Sequence, residues 1–189
     1  MNQLEAIAAL LGVINVALVA RRSIWNYPPG IAMVALYFLI FLRAKLYSDA
    51  LLQIFFLLIQ LYGWWNWLRS PKVDSGVAVE WMTPGTRLRW LCGTAAFSLC
   101  WGLLMRTYTD AAAPLIDANI AGFSVAAQLL LSLRRIESWI LWIAVDVVAI
   151  GLFAWRGLAI TAGLYAIFLC LAGWGLISWQ RKAAAVGVK

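Results

Sequence analysis

An all-α integral membrane protein is the fold class that this sequence predicts, with seven transmembrane helices arranged as two parallel three-helix repeats around one linking helix. Three observations predict it. The 189 residues are 65% hydrophobic and only 12% charged, with a mean hydropathy of +0.86, a composition outside that of water-soluble domains. The apolar residues fall in seven runs long enough to cross a hydrocarbon layer of about 30 Å as helices. Residues at a fixed offset in the first and last thirds of the chain also repeat one another. Lipid admits only helices or closed barrels, because backbone polar groups must be satisfied internally, and the period-two alternation of barrel strands is absent.

The first repeat covers residues 1–68 and holds spans at about 4–20, 24–42 and 46–68. Arg21 and Arg22 end the first span, whose one interior amide is Asn15. Tyr27-Pro28-Pro29-Gly30 opens the second, where proline is tolerated because the first helical turn has no intrahelical partner for its N–H. Arg43-Ala44-Lys45 forms a tight polar turn into the third span. Residues 69–86 are the only long polar stretch, rich in Pro, Gly and Ser, and read as a cytoplasmic loop. A linking span at 87–106 carries no strongly polar group between its ends. The stretch Thr107 to Pro114 reads as loop. The second repeat covers 115–180, with spans at about 115–133, 137–154 and 158–179, and residues 181–189 form a basic, frayed cytoplasmic tail.

Fifteen Lys and Arg against eight Asp and Glu give a net charge of +7. In a membrane protein this excess reflects topology rather than a nucleic-acid partner. With the N-terminus outside, the outer side carries only Arg43, Lys45, Arg106 and Arg156, and the remaining eleven of the fifteen cations lie inside. The positive-inside rule therefore favours an outer N-terminus and a cytoplasmic C-terminus. The three cysteines lie in apolar runs without CxxC spacing and the chain has no histidine. Neither a disulfide framework nor a metal site is expected, and no cofactor is implied.

An offset of 112 residues aligns Arg22 with Arg134, Gly63 with Gly175, Trp67 with Trp179 and Arg69 with Arg181. The displacement spans an even number of crossings, so both halves run in the same direction. Parallel repeats of this kind occur in transporters that hold substrate between the halves. The alternative is a duplicated membrane scaffold that transports nothing.

Asp49, Gln53, Phe56 and Gln60 recur at helical spacing and share one face of the third span. A polar stripe in lipid must face protein or a water-filled cavity, and Gln60 serves equally well as a lining group or as interhelical glue. Trp139, Trp142 and Asp146 share a face of the sixth span, and Asp146 is the one carboxylate well inside a run. It is read either as a structural acceptor or as the counter-charge of a cationic substrate or proton. The Trp64-Trp65-Asn66-Trp67 run and its counterparts Trp174 and Trp179 suit interfacial anchoring for the most part, though such rings also hold planar, cationic heteroaromatics well. No nucleophile–base pair, paired intramembrane carboxylates or Walker motif is present, so an enzyme or an ATP-driven pump is not expected.

The stretches YPPGIAMVALYFLIFLRAKLYSDALLQ with YGWWNW, and AQLLLSLRRIESWILWIAVDVVAIGLFAWRGLAITAGLYAIFLCLAGWGLISWQR, resemble the PnuC family of bacterial vitamin transporters. The resemblance implies a three-plus-one-plus-three arrangement similar to the SWEET sugar transporters. It also implies facilitated diffusion of nicotinamide riboside across the bacterial inner membrane, trapping by a cytoplasmic kinase and supply of NAD synthesis. Thiamine and riboflavin are the alternative cargoes within the family, and association with further copies of the chain is compatible with it. By match to the family's AQ and ENWxxWxxxD patterns, the substrate-binding residues implied are Gln128, Trp139, Trp142 and Asp146, with Gln53 and Asn66 from the first half. Ser138 stands where the family commonly has Asn and joins the implied site.

Overall fold

The computed structural model describes residues 3–43, 47–73, 76–108, 114–155, 157 and 159–185, with the side chains of 47–49, 72 and 73 set aside. Lys45, the Asp49 side chain, residues 109–113, Arg156 and Lys189 thus lie outside the described residues. Among the described residues seven α-helices follow in order: α1 Gln3–Ala20, α2 Tyr27–Arg43, α3 Tyr47–Leu68, α4 Pro84–Tyr108, α5 Pro114–Ser132, α6 Glu137–Trp155 and α7 Ala159–Ala185. All seven are long and apolar enough to cross a membrane.

Six of the helices close a ring. Within each half, α1 packs on α2 and α2 on α3, as α5 packs on α6 and α6 on α7; between the halves, α1 packs on α7 and α3 on α5. Helix α4 lies outside the ring against α5. Its buried face is Thr94, Ser98 and Gly102, one residue per turn, matched on α5 by Ala118, Gly122 and Ala126. Small residues at four-residue spacing let two backbones approach closely, which is the main source of helix association in lipid. The large apolar side chains of α4, such as Leu88, Leu91 and Leu99, point outward.

Residues 112 apart repeat one another in detail. Helices α1 and α5 both end on an arginine in the left-handed conformation, Arg22 with φ 58° and Arg134 with φ 61°. Each stop is a Schellman turn: Ser23 N–H donates to Leu18 O and Arg22 N–H to Val19 O, as Arg135 N–H donates to Leu130 O and Arg134 N–H to Leu131 O. A left-handed non-glycine residue costs about 1 kcal/mol or more, and here the flanking chain offsets it. Arg22 O accepts from Val77 N–H and Arg134 O from Glu80 N–H, and the Arg22 guanidinium donates to Val77 O.

The donors belong to the polar segment between α3 and α4, which is more ordered than the irregular loop its composition suggests. Lys72–Val73 (β1) and Gly76–Val77 (β2) pair as a short antiparallel hairpin. The chain then runs across the ends of both halves. Ile136 N–H returns a bond to Glu80 O, Arg135 pairs with Glu80 at 2.9 Å, and Glu137 Oε1 accepts from Met82 N–H at 2.9 Å and from Arg87 Nε at 2.6 Å. Thr83 followed by Pro84 supplies the start of α4, with Pro at the first helical position, so the helix begins before residue 87. Helix α7 continues to Ala185, into the segment read as a frayed tail. Ala183 is buried in the aromatic cluster below, and alanine is the strongest helix former.

At the hairpin end of the ring lies an aromatic cluster built from matching parts of both halves. Trp67 donates its indole N–H to Leu131 O and Trp179 donates to Val19 O, each reaching into the other half at an equivalent carbonyl. Tyr27 meets Trp67 edge-on at 5.5 Å, Trp139 meets Trp179 edge-on at 5.4 Å, and the two donor rings meet at 6.1 Å. The pattern requires Gly63 and Gly175: a methyl group on Gly63 would come within 2.7 Å of the Tyr27 hydroxyl, and one on Gly175 within 2.6 Å of the Trp139 ring. Trp67 and Trp179 are therefore core residues, not interfacial anchors. Trp25, Trp65, Trp101, Trp155 and Trp174 are the exposed ones among the described residues.

Candidate functional site

Directly above this cluster the ring surrounds a partly open cavity of about 200 Å³. Val19, Leu131, Trp139 and Ala172 line it and also belong to the aromatic cluster, so the cavity is closed at the hairpin end by packed core. Further from the hairpin its wall includes Phe56 and Phe168, which are equivalent in the two halves, and Gln53 opposite its counterpart Tyr165. Most of the wall is apolar. The polar groups are few and come from five helices: Asn15 on α1, Gln53 and Gln60 on α3, Gln128 on α5, Asp146 on α6 and Tyr165 on α7.

Helix α6 contributes Trp139, Trp142 and Asp146 because the i, i+3, i+7 spacing puts them on one stripe. Asp146 is buried and makes no hydrogen bond or ion pair among the described residues. Gln60 is only 4% exposed and likewise makes no hydrogen bond to a described residue. An apolar wall with unpaired amides and one carboxylate facing inward suits a small, planar, polar ligand, since each unpaired group is costly until it finds a partner.

Five of the seven residues implied by resemblance come together on this cavity: Gln53, Gln128, Trp139, Trp142 and Asp146. Two do not line it. Asn66 Nδ2 donates to Ser132 O at 2.8 Å, tying α3 to α5 near the hairpin. Ser138 is fully buried, and its hydroxyl has no partner among the described residues. It precedes Trp139 by one residue, and the 100° step of a helix turns it off the stripe. Asn15 and Tyr165 also line the cavity without being implied by the sequence, and Gln60, which its spacing offered equally as a lining group or as interhelical glue, lines it too. For Gln60 the helical stripe with Gln53 and Phe56 was the available signal, while a lone amide in an apolar run carried none for Asn15.

The sequence model of the family described as "Nicotinamide mononucleotide transporter" matches residues 2–181. The chain belongs to that family. It is similar to the nicotinamide riboside transporter PnuC of Escherichia coli (strain K12), 26% identical over 99% of this chain and 89% of that protein. The riboflavin/roseoflavin transporter RibM of Streptomyces davaonensis is 28% identical over 95% of this chain and 85% of its own length. Among solved structures, the crystal structure of the vitamin B3 transporter PnuC superposes with a TM-score of 0.80 at 25% identity, covering 96% of this chain and 82% of that one. The chain is accordingly a PnuC-type multi-pass membrane transporter rather than an enzyme.

Proposed function

We propose that this transporter carries nicotinamide riboside into the bacterial cell by facilitated diffusion, with phosphorylation by a cytoplasmic kinase trapping the product for NAD synthesis. One observation carries the reading: a small cavity, shut at the hairpin end, that combines two tryptophans with one carboxylate and amides that have no partner among the described residues. Nicotinamide riboside has a planar pyridinium, which indole faces attract through cation–π contact and a carboxylate neutralises. Its carboxamide and pentose hydroxyls match the amides. At about 200 Å³ the cavity lies below the roughly 300–1,000 Å³ of drug-sized pockets, which supports a riboside with a single aromatic ring over a tricyclic flavin. No site for a coupling ion is needed, because removal of the product by phosphorylation keeps the gradient inward.

The equivalence of residues 112 apart supports two parallel three-helix units that move against each other around the cavity, in an inner membrane, with an outer N-terminus and the hairpin on the cytoplasmic side. The similarity to a riboflavin transporter favours a second cargo, riboflavin. Uptake of labelled substrate into liposomes containing only this protein separates the two. Saturable nicotinamide riboside uptake, unchanged when a proton gradient is imposed or collapsed, is the expected result. Riboflavin uptake without riboside uptake would replace the first reading with the second, and uptake of neither would overturn both and leave another cargo, such as thiamine.

A further inference from the structure

Helices α2 and α6 occupy opposite places in the ring, and at equivalent positions they present opposite chemistry. Where α6 has Trp142 and Asp146, α2 has Gly30 and Val34. The bare position at Gly30 is filled by side chains from neighbouring helices: a methyl group there would come within 2.6 Å of Asn15 Nδ2 from α1 and within 2.6 Å of Gln60 Nε2 from α3. Asn15 is fixed, because its Nδ2 donates to Asn26 O at 2.8 Å while Asn26 Nδ2 donates to Ser23 O at 2.7 Å. That leaves Asn15 Oδ1 as an acceptor. Gln60, more than nine-tenths buried and on the cavity wall, has no hydrogen-bond partner among the described residues.

From this arrangement we infer that the Asn15–Gln60 amide pair, seated over Gly30, is a charge-neutral recognition pole that binds the hydroxyl-bearing end of the ligand. Trp142 and Asp146 hold the planar cationic end across the ring. An acceptor from one amide and both donor and acceptor from the other suit a pair of vicinal hydroxyls, each of which donates and accepts. Gly30 is a positioning residue, acting through Asn15 and Gln60. The inference rests on the riboside reading and assigns the orientation of the ligand in the cavity.

The test uses the purified full chain, nicotinamide riboside and its 2′,3′-dideoxy analogue, with titration calorimetry as readout. Wild type should bind the riboside about tenfold or more tighter than the analogue, since a site built for hydroxyls penalises their loss. Gln60→Ala should weaken riboside binding about tenfold and leave the analogue within about threefold, the loss of one buried hydrogen bond. Gly30→Ala should do the same. The atoms nearest its methyl group are the far ends of two side chains, so the variant can fold, and its thermal midpoint checks this. Gly30→Ala combined with Gln60→Ala should lose less than the sum of the two single losses, because the methyl group acts on the same amide pair. Equal losses for both ligands, or no loss for either, would overturn the pole while leaving riboside transport standing. Failure of wild type to bind the riboside at all would remove that reading and this inference together.

Discussion

The two halves of this protein share a frame and differ in what they put on it. At the hairpin end, equivalent residues do equivalent things: Trp67 and Trp179 cross over to the same carbonyl of the opposite half, and Tyr27 and Trp139 stack edge-on against them. Around the cavity the equivalence breaks at nearly every polar position. Asn15 faces Ala127 in the alignment, Val16 faces Gln128, Val34 faces Asp146, Gln53 faces Tyr165 and Gln60 faces Ala172. Symmetry thus survives where the halves hold each other, and is lost around the cavity that is the proposed binding site. A ligand with one charged ring and one hydroxylated end needs two different walls.

Breaking the shared frame should have the largest effect. Trp179→Ala removes a fully buried ring, its edge-on contact and its bond to Val19 O, and should cost about 3–5 kcal/mol, read from the thermal midpoint or denaturant resistance of the purified protein. Trp67→Ala should cost a similar amount. The double variant should deviate from additivity, since the two rings meet at 6.1 Å. A large cost on one side only would mean that the crossed bonds are unequal partners.

Next comes the asymmetric wall. Asp146→Asn should weaken binding of nicotinamide riboside about 30-fold, because the buried counter-charge is lost. The uncharged dihydropyridine form of the riboside should lose far less. Equal losses for both would remove the counter-charge role. Smaller still is the contrast between the paired glycines. Gly175→Ala drives a methyl group into the rigid Trp139 ring, whereas Gly63→Ala meets mainly the far end of Tyr27, so the first should lower stability by about 1–3 kcal/mol and the second by less. The reverse order in thermal melts would show that the Tyr27 corner is the tighter one.

The smallest effect concerns the equivalent pair Trp25 and Glu137. Trp25 is 70% exposed, while Glu137 accepts from Met82 N–H and from Arg87. Glu137→Gln should cost about 1 kcal/mol, given that Arg87 is partly solvated, and Trp25→Leu should be neutral to within about 0.5 kcal/mol. A measurable loss for Trp25→Leu would indicate that the first half has its own tie at this turn.

Much of the fold is written in the chain because lipid is a strict solvent. It demands runs of about 20 apolar residues, and such runs are visible without any partner. The stripe of Trp139, Trp142 and Asp146 was legible for a related reason, since helical geometry alone puts the three on one face. Asn66 and Ser138 illustrate the limit. Both sit beside motif residues, yet a 100° step per residue turns Ser138 off the stripe, and Asn66 is held by a carbonyl of α5 that only packing brings near.

The sequence by itself determined seven helices, a duplication at an offset of 112 residues and the polar faces of α3 and α6, because these depend on local composition and on the period of a helix. The tertiary structure decided how the halves interlock, how the segment before α4 ties Arg22 and Arg134 across one end, and which amides meet over Gly30. Each of these depends on distances between side chains from different helices. Such distances are set by how small residues let helices approach, and no pattern along a single helix contains them.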